Sequence, residues 1–153
     1  MKITKPFYYD QFRCIADRCP DSCCHEWEVA VDEASARRYL ALPGELGDAL
    51  RQKLKQTDDG YCLEITDSRC PMWRADGLCR IQAELGEEAL CKTCREFPRL
   101  THDYGDFVER GLELSCPEAA KFILTASSFE FAGRETEETA DAEYDREAMT
   151  VLK

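Results

Sequence analysis

Cys14-Ile15-Ala16-Asp17-Arg18-Cys19-Pro20-Asp21-Ser22-Cys23-Cys24-His25-Glu26-Trp27 is the stretch on which the fold turns. It is polar, holds Pro20, and shows neither the 3.6-residue period of a helix nor the alternation of a strand, so it reads as a loop wrapped round a ligand. Such a loop needs something other than side-chain packing at its centre. Its four cysteines point to a metal or to disulfides as that centre.

The rest of the chain has to supply partners for this loop. Ten cysteines stand among 153 residues, far above ordinary usage. The composition, 44% hydrophobic and 33% charged, is that of a globular domain. The opening Met1-Lys2-Ile3-Thr4-Lys5 begins no basic leader with an apolar run, and no segment reaches membrane-spanning length. A cytoplasmic protein is therefore expected, without membrane association, and in a reducing cytosol clustered cysteines serve as ligands or redox centres more often than as bridges. The net charge of -11 and the lack of a Lys/Arg run weigh against a nucleic-acid partner.

Outward from the loop, Asp32 is placed to cap a helix running to Leu42. Pro43-Gly44 breaks it, and Leu46, Ala49, Leu50 and Leu54 stripe a second helix. After the Asp58-Asp59-Gly60 turn, Tyr61–Ile65 alternates as a short strand, which puts Cys62 in a strand and predicts its burial. Leu78 to Cys94 reads as helical, with Gly86 interrupting, until Pro98 ends it. Leu100 to Leu114 predicts a hairpin turning at Asp103-Tyr104-Gly105-Asp106, and Cys116-Pro117 opens a last helix through Leu124.

Beyond Ser127 the chain turns acidic, with Glu130, Glu135, Glu137, Glu138, Asp141, Glu143, Asp145 and Glu147 against Arg134 and Arg146. The predicted organisation is a cysteine-rich metal-cluster domain over residues 1-126 and an acidic tail, or the start of a further region, over 127-153. The fold class is α+β, rich in helix: short helices and a small antiparallel hairpin, with long cysteine-bearing loops folded around a metal cluster.

Two cysteine groups emerge: Cys14, Cys19, Cys23 and Cys24 near the start, and Cys70, Cys79, Cys91, Cys94 and Cys116 in the second half. Short-spaced groups let one loop aim several thiolates at one centre. Adjacent Cys23 and Cys24 sit awkwardly in this scheme, because neighbouring side chains in extended backbone diverge. The spacings favour an iron-sulfur cluster over zinc, and zinc over disulfides. Cys91-x2-Cys94 has zinc-knuckle spacing, yet paired C-x2-C units do not repeat and only His25 and His102 offer imidazoles.

His25 is a candidate ligand, against the commoner role of a lone histidine beside a site. Trp27 and Trp73 either shield a cluster or simply pack. Arg95 and Arg99 balance thiolate charge or bind an anionic cofactor group, against surface ion pairing. No Gly-rich nucleotide fingerprint occurs, and the radical C-x3-C-x2-C triad is absent, since Cys19-x3-Cys23 is followed at once by Cys24.

The ordered set Cys14-x4-Cys19-x-Asp21-x-Cys23-Cys24-x2-Trp27, Cys70-Pro71, Leu78-Cys79-x-Ile81-Gln82-x-Glu84-Leu85-Gly86, Cys94-Arg95-x2-Pro98-Arg99 and Ser115-Cys116-Pro117-Glu118 resembles the flagellin lysine-N-methylase family, related to the CxxCxxCC zinc- or iron-chelating proteins. The resemblance runs from about Phe12 to Ala126. It implies a [4Fe-4S] enzyme that carries a methyl group from S-adenosylmethionine to flagellin lysines, in members much longer than this chain. The alternative is a zinc-binding structural or recruitment module without catalysis of its own. The implied metal residues are Cys14, Cys19, Cys23, Cys24, Cys70, Cys79, Cys94 and Cys116, with Cys91 as a further candidate and Cys62 outside the pattern. The catalytic residues stay unassigned.

Overall fold

A computed structural model of the chain describes residues 2–105, 107–128 and 130–135. In chain order its regular elements are β1 (Lys2–Pro6), β2 (Val29–Val31), α1 (Glu33–Ala41), α2 (Gly44–Lys53), β3 (Leu54–Thr57), β4 (Gly60–Leu63), α3 (Arg80–Leu85), α4 (Lys92–Glu96), β5 (Arg99–Asp103), β6 (Phe107–Leu112), α5 (Pro117–Thr125) and β7 (Phe131–Glu135). The class is α+β, with short helices and small sheets. The chain divides into two compact units, Ile15–Phe97 and Met1–Cys14 with Pro98–Lys153.

In the Ile15–Phe97 unit, β2, β4 and β3 form an antiparallel sheet in that order. Val29 and Val31 are buried while Ala30 between them is exposed, so β2 presents one apolar face. Leu54 and Leu63, opposite one another across β3 and β4, join that face. Ala36 and Tyr39 of α1 and Leu46 and Leu50 of α2 cover it, each pair spaced to share one side of its helix. Leu50 is wholly buried, at 0% exposure. Met72, Ile81 and Leu90 extend the same core beneath the cysteine-bearing loops.

The join between α1 and α2 is unusually close. Arg51 of α2 donates through Nη1 to the carbonyls of Leu40 at 3.0 Å and Leu42 at 2.6 Å, satisfying acceptors that the end of α1 leaves open. A Cβ added at Gly47 would stand 1.8 Å from the Leu42 carbonyl oxygen, so that position admits no side chain.

In the other unit the sheet order is β5-β6-β1-β7; β1 runs parallel to β6, and the remaining pairs are antiparallel. Tyr8, Tyr9, Phe12, Leu112 and Ala119 form its core, with Cys116, Phe122 and Ile123 packed against them. Pro117 opens α5, where its missing N–H costs nothing.

The sequence reading differs from this at definite places. Leu54 begins β3 instead of extending α2. The stretch read as one interrupted helix from Leu78 is α3, a 3-10 turn over Glu87–Ala89, and α4, because Gly86 takes φ +88 and ends α3. Cys62 is half-buried: Tyr61 and Leu63 face the core, and the strand period turns Cys62 to the other face. The hairpin of β5 and β6 has the predicted position, although Asp106 of its turn lies outside the described residues. Phe131 pairs with Pro6 at the start of the acidic segment; residues 136–153 lie outside the described residues.

A thiol cluster as candidate metal centre

Three segments of the Ile15–Phe97 unit meet at Cys24. The first is the opening loop, bent at Cys23-Cys24, where Ser22 Oγ accepts from the Cys24 N–H at 3.1 Å. The second reverses at Asp67-Ser68, both with positive φ as a tight mirror-type hairpin turn requires, so that Arg69 pairs back with Thr66. These two segments are stitched together in antiparallel fashion. Glu26 N donates to Ser68 O at 2.8 Å, His25 bridges Arg69, and Cys70 N donates to Cys24 O at 2.7 Å. The third segment returns from the Arg74–Gly77 turn, pairs Cys79 with Trp73, and enters α3 with Cys79 as its N-cap.

Side-chain hydrogen bonds consequently join Cys24 to Cys23, Cys70 and Cys79. Cys24 and Cys70 are buried, Cys79 is half-buried, and Cys23 lies at the solvent edge. At the bend the adjacent Cys23 and Cys24 thiols are hydrogen-bonded to each other.

The protons are unequally shared. Cys79 is brought down to about 6, first by its bond from Cys24 and, against the cost of burial, by the N–H groups of Gln82 and Ile81 in the first turn of α3. Cys23 falls to about 7, again chiefly through Cys24. Cys70 is lowered by Cys24 and by the Met72 N–H. Cys24 is pushed far upward, because it donates to Cys23 and is bonded to Cys70 and Cys79. Cys23, Cys70 and Cys79 are thus lowered and Cys24 is raised.

Cys91 and Cys94 form a separate pair. Cys91 caps α4 and Cys94 is its third residue; their thiols are hydrogen-bonded, which lowers Cys91 to about 7 and raises Cys94. Cys91 is 1% exposed, with Sγ 3.8 Å from Ala30 O. The charges of Cys79 and Cys23 also reach Cys94, so the pair lies near the larger group.

Aromatic and charged neighbours surround the site. His25 stacks on Trp73 with ring centroids 5.6 Å apart, and the Arg69 guanidinium lies 3.7 Å over the same indole. His25 Nε2 lies 2.8 Å from Asp21 Oδ1, which occupies one ring nitrogen. Trp27 Nε1 donates to Cys23 O at 2.8 Å and so pins the bend. The buried Trp73 Nε1 has no hydrogen-bond partner among the described residues.

The other expected residues have the following local settings. Cys19 is half-buried at the end of a 3-10 turn over Ala16–Arg18. Cys14 and Cys116 belong to the other unit, Cys14 exposed and Cys116 packed on that unit's core. Arg95 is exposed on α4. Arg99, on β5, donates to Phe12 O at 3.3 Å and lies 5.1 Å over the Phe12 ring.

Asp32 is the residue whose reach the sequence did not reveal. One carboxylate oxygen accepts from Ser35 N at 3.0 Å and caps α1; the other accepts from Lys92 N at 2.7 Å and caps α4 between Cys91 and Cys94. The first contact is legible as a local capping signal. The second crosses sixty positions.

Fold and site together define a small cysteine-rich α+β protein organised round a thiol cluster. No protein-family model and no solved structure matches the chain. It is 33% identical over 129 residues to the flagellar biosynthetic protein FliU of Salmonella muenchen, covering 80% of this chain and 76% of FliU. It is also 33% identical over 129 residues to lysine-N-methylases of Salmonella typhimurium and Salmonella choleraesuis, where the match covers 32% of each. The chain belongs to the flagellin lysine-N-methylase family, and spans about a third of the length of those two methylases. No helix of the described residues is long and apolar enough to cross a membrane.

Proposed function

We propose that this chain is the cysteine-rich domain of a lysine N-methyltransferase acting on flagellin or a similar lysine-bearing protein, and that Cys23, Cys24, Cys70 and Cys79 hold a [4Fe-4S] cluster. The carrying observation is the convergence of those four thiols, from three segments, on Cys24. Four thiolates is the ligand count of one such cluster.

The donor set fits in chemistry and number. Metal binding requires thiolates, and Cys23, Cys70 and Cys79 are all lowered; binding would displace the proton that Cys24 retains. The Trp73 N–H, otherwise without an acceptor, suits a site that receives an inorganic sulfide. Among the described residues no group of three or more His, Cys, Asp or Glu side chains is already arranged to hold an ion, so the thiols would have to rearrange on loading. All four ride on loops or at a helix edge, where such movement is least costly.

Bound there, the cluster would supply Lewis-acidic iron able to position or polarise S-adenosylmethionine in the whole enzyme. The protein's own part is to fix the sulfurs through the backbone hydrogen bond from Cys70 N to Cys24 O, with the His25–Trp73–Arg69 stack built on neighbouring residues. The relatives' names support the lysine-methylating role, and the net charge of -11 suits a lysine-bearing partner. The same four thiolates also suit one tetrahedral zinc ion, the basis of the alternative reading as a recruitment module.

Anaerobic purification followed by iron, acid-labile sulfide and zinc analysis tests the assignment. Iron and sulfide near four each per chain are expected; stoichiometric zinc without iron favours the recruitment module, and a folded chain without either metal overturns both. Methyl-lysine detected by mass spectrometry after incubating flagellin with the full-length enzyme and S-adenosylmethionine tests the reaction.

A further inference from the structure

The four-thiol assignment leaves Cys91 and Cys94 unused. They occupy the cap and third positions of one helical turn, where side chains three apart face each other. Their sulfurs are already in hydrogen-bond contact, and the N–H groups of Thr93 and Cys94 also reach Cys91 Sγ. Asp32 holds the intervening Lys92 N–H, so the turn is fixed in the conformation that keeps the two thiols together. Cys91 is buried, whereas Cys94 is half-buried and offers an approach from solvent. Covalent linkage within such a turn needs little backbone movement.

We propose that Cys91 and Cys94 are a thiol–disulfide exchange pair, separate from the Cys24 group, that accepts a small glutathione-type disulfide as oxidant. The Cys94 thiol, the one open to solvent, passes its proton to the Cys91 sulfur and attacks one sulfur of that disulfide; its S–S bond breaks, and the departing small thiol carries that proton away from Cys91. Cys91, as thiolate, then attacks the Cys94 sulfur and expels the second small thiol. The protein loses two S–H bonds and gains one S–S bond, and the oxidant takes up two electrons and two protons.

The chain's own sequence gives a clean readout. Tryptic cleavage after Arg80, Lys92 and Arg95 leaves Cys91 and Cys94 on different peptides, which only a disulfide can hold together. The full chain, isolated anaerobically with whatever metal it carries, is treated with excess oxidised glutathione, digested, and examined by mass spectrometry beside metal analysis.

The expected result is loss of two of the ten thiols, a dominant Cys91–Cys94 linked peptide, and unchanged metal content. Cys91→Ser and Cys94→Ser should each abolish the link and leave metal content unchanged. The proposal is overturned if no such link forms, if links to Cys23, Cys24, Cys70 or Cys79 dominate, or if either serine variant loses the metal. Because the link does not depend on iron, a chain isolated without metal that still forms it would refute the cluster assignment alone.

Discussion

Replacing Asp32 with alanine removes the caps of two helices at once, one of which carries Cys91 and Cys94. Loss of an N-cap costs about 0.5–2 kcal/mol, and a hydrogen bond from a backbone N–H to a charged group contributes about 1.5–3 kcal/mol, less when half-exposed as Asp32 is. With Ser35 N and Lys92 N both left without their acceptor, Asp32→Ala should lose about 2–3 kcal/mol. Asp32→Asn keeps one carbonyl oxygen and should lose roughly half of that. Urea denaturation followed by tryptophan fluorescence measures it, because both tryptophans, Trp27 and Trp73, lie in the Ile15–Phe97 unit. Glu33→Ala, which removes only an exposed pair with Arg37, is the control and should stay within about 0.5 kcal/mol of the parent.

The Asp32 effect also carries a pH signature. Burial pushes its carboxyl upward, but the N–H groups of Lys92 and Ser35 outweigh burial and hold it below its usual 3.8. A lowered folded value means that the carboxylate stabilises the fold fully above the unfolded value and that this contribution disappears as pH falls through the folded one. The gap between parent and Asp32→Ala should therefore be constant near neutrality and close below pH 3.8. An Asp32→Ala loss no larger than that of Glu33→Ala, or a gap that does not close in acid, would refute the double cap.

Other perturbations have equally definite outcomes. Gly47→Ala would force its Cβ against the Leu42 carbonyl, so despite alanine's helix preference it should cost about 1–3 kcal/mol in the same urea assay; equal or greater stability would contradict the close α1–α2 approach. Leu50→Ala, in the fully buried core beneath the sheet, should cost about 2–5 kcal/mol by the same measure. Cys79→Ser should abolish most metal binding, whereas Cys62→Ser, on the opposite face of β4, should leave metal content at the parent level by elemental analysis.

Local signals were legible where they needed no distant partner. The Asp32 cap, the Pro43-Gly44 break, the β5–β6 hairpin and the Cys116-Pro117 helix start each depend on a few adjacent residues, and each has its predicted place. Strands β2 and β3 are not legible in the sequence because Val29–Val31 and Leu54–Thr57 are too short to show a period alone; both become strands by pairing with β4. Cysteine spacing showed that thiols matter but could not partition them. Cys70 reaches Cys24 only through the Asp67-Ser68 reversal, and Cys94 is drawn to Cys91 by the turn they share.

Anomalous scattering from crystals of the anaerobically prepared chain, recorded across the iron edge, addresses the central claim most directly. The account predicts an iron signal within bonding distance of Cys23, Cys24, Cys70 and Cys79, and none at Cys14 or Cys116. Iron bound instead to Cys91 and Cys94, or a zinc signal with no iron, would contradict it.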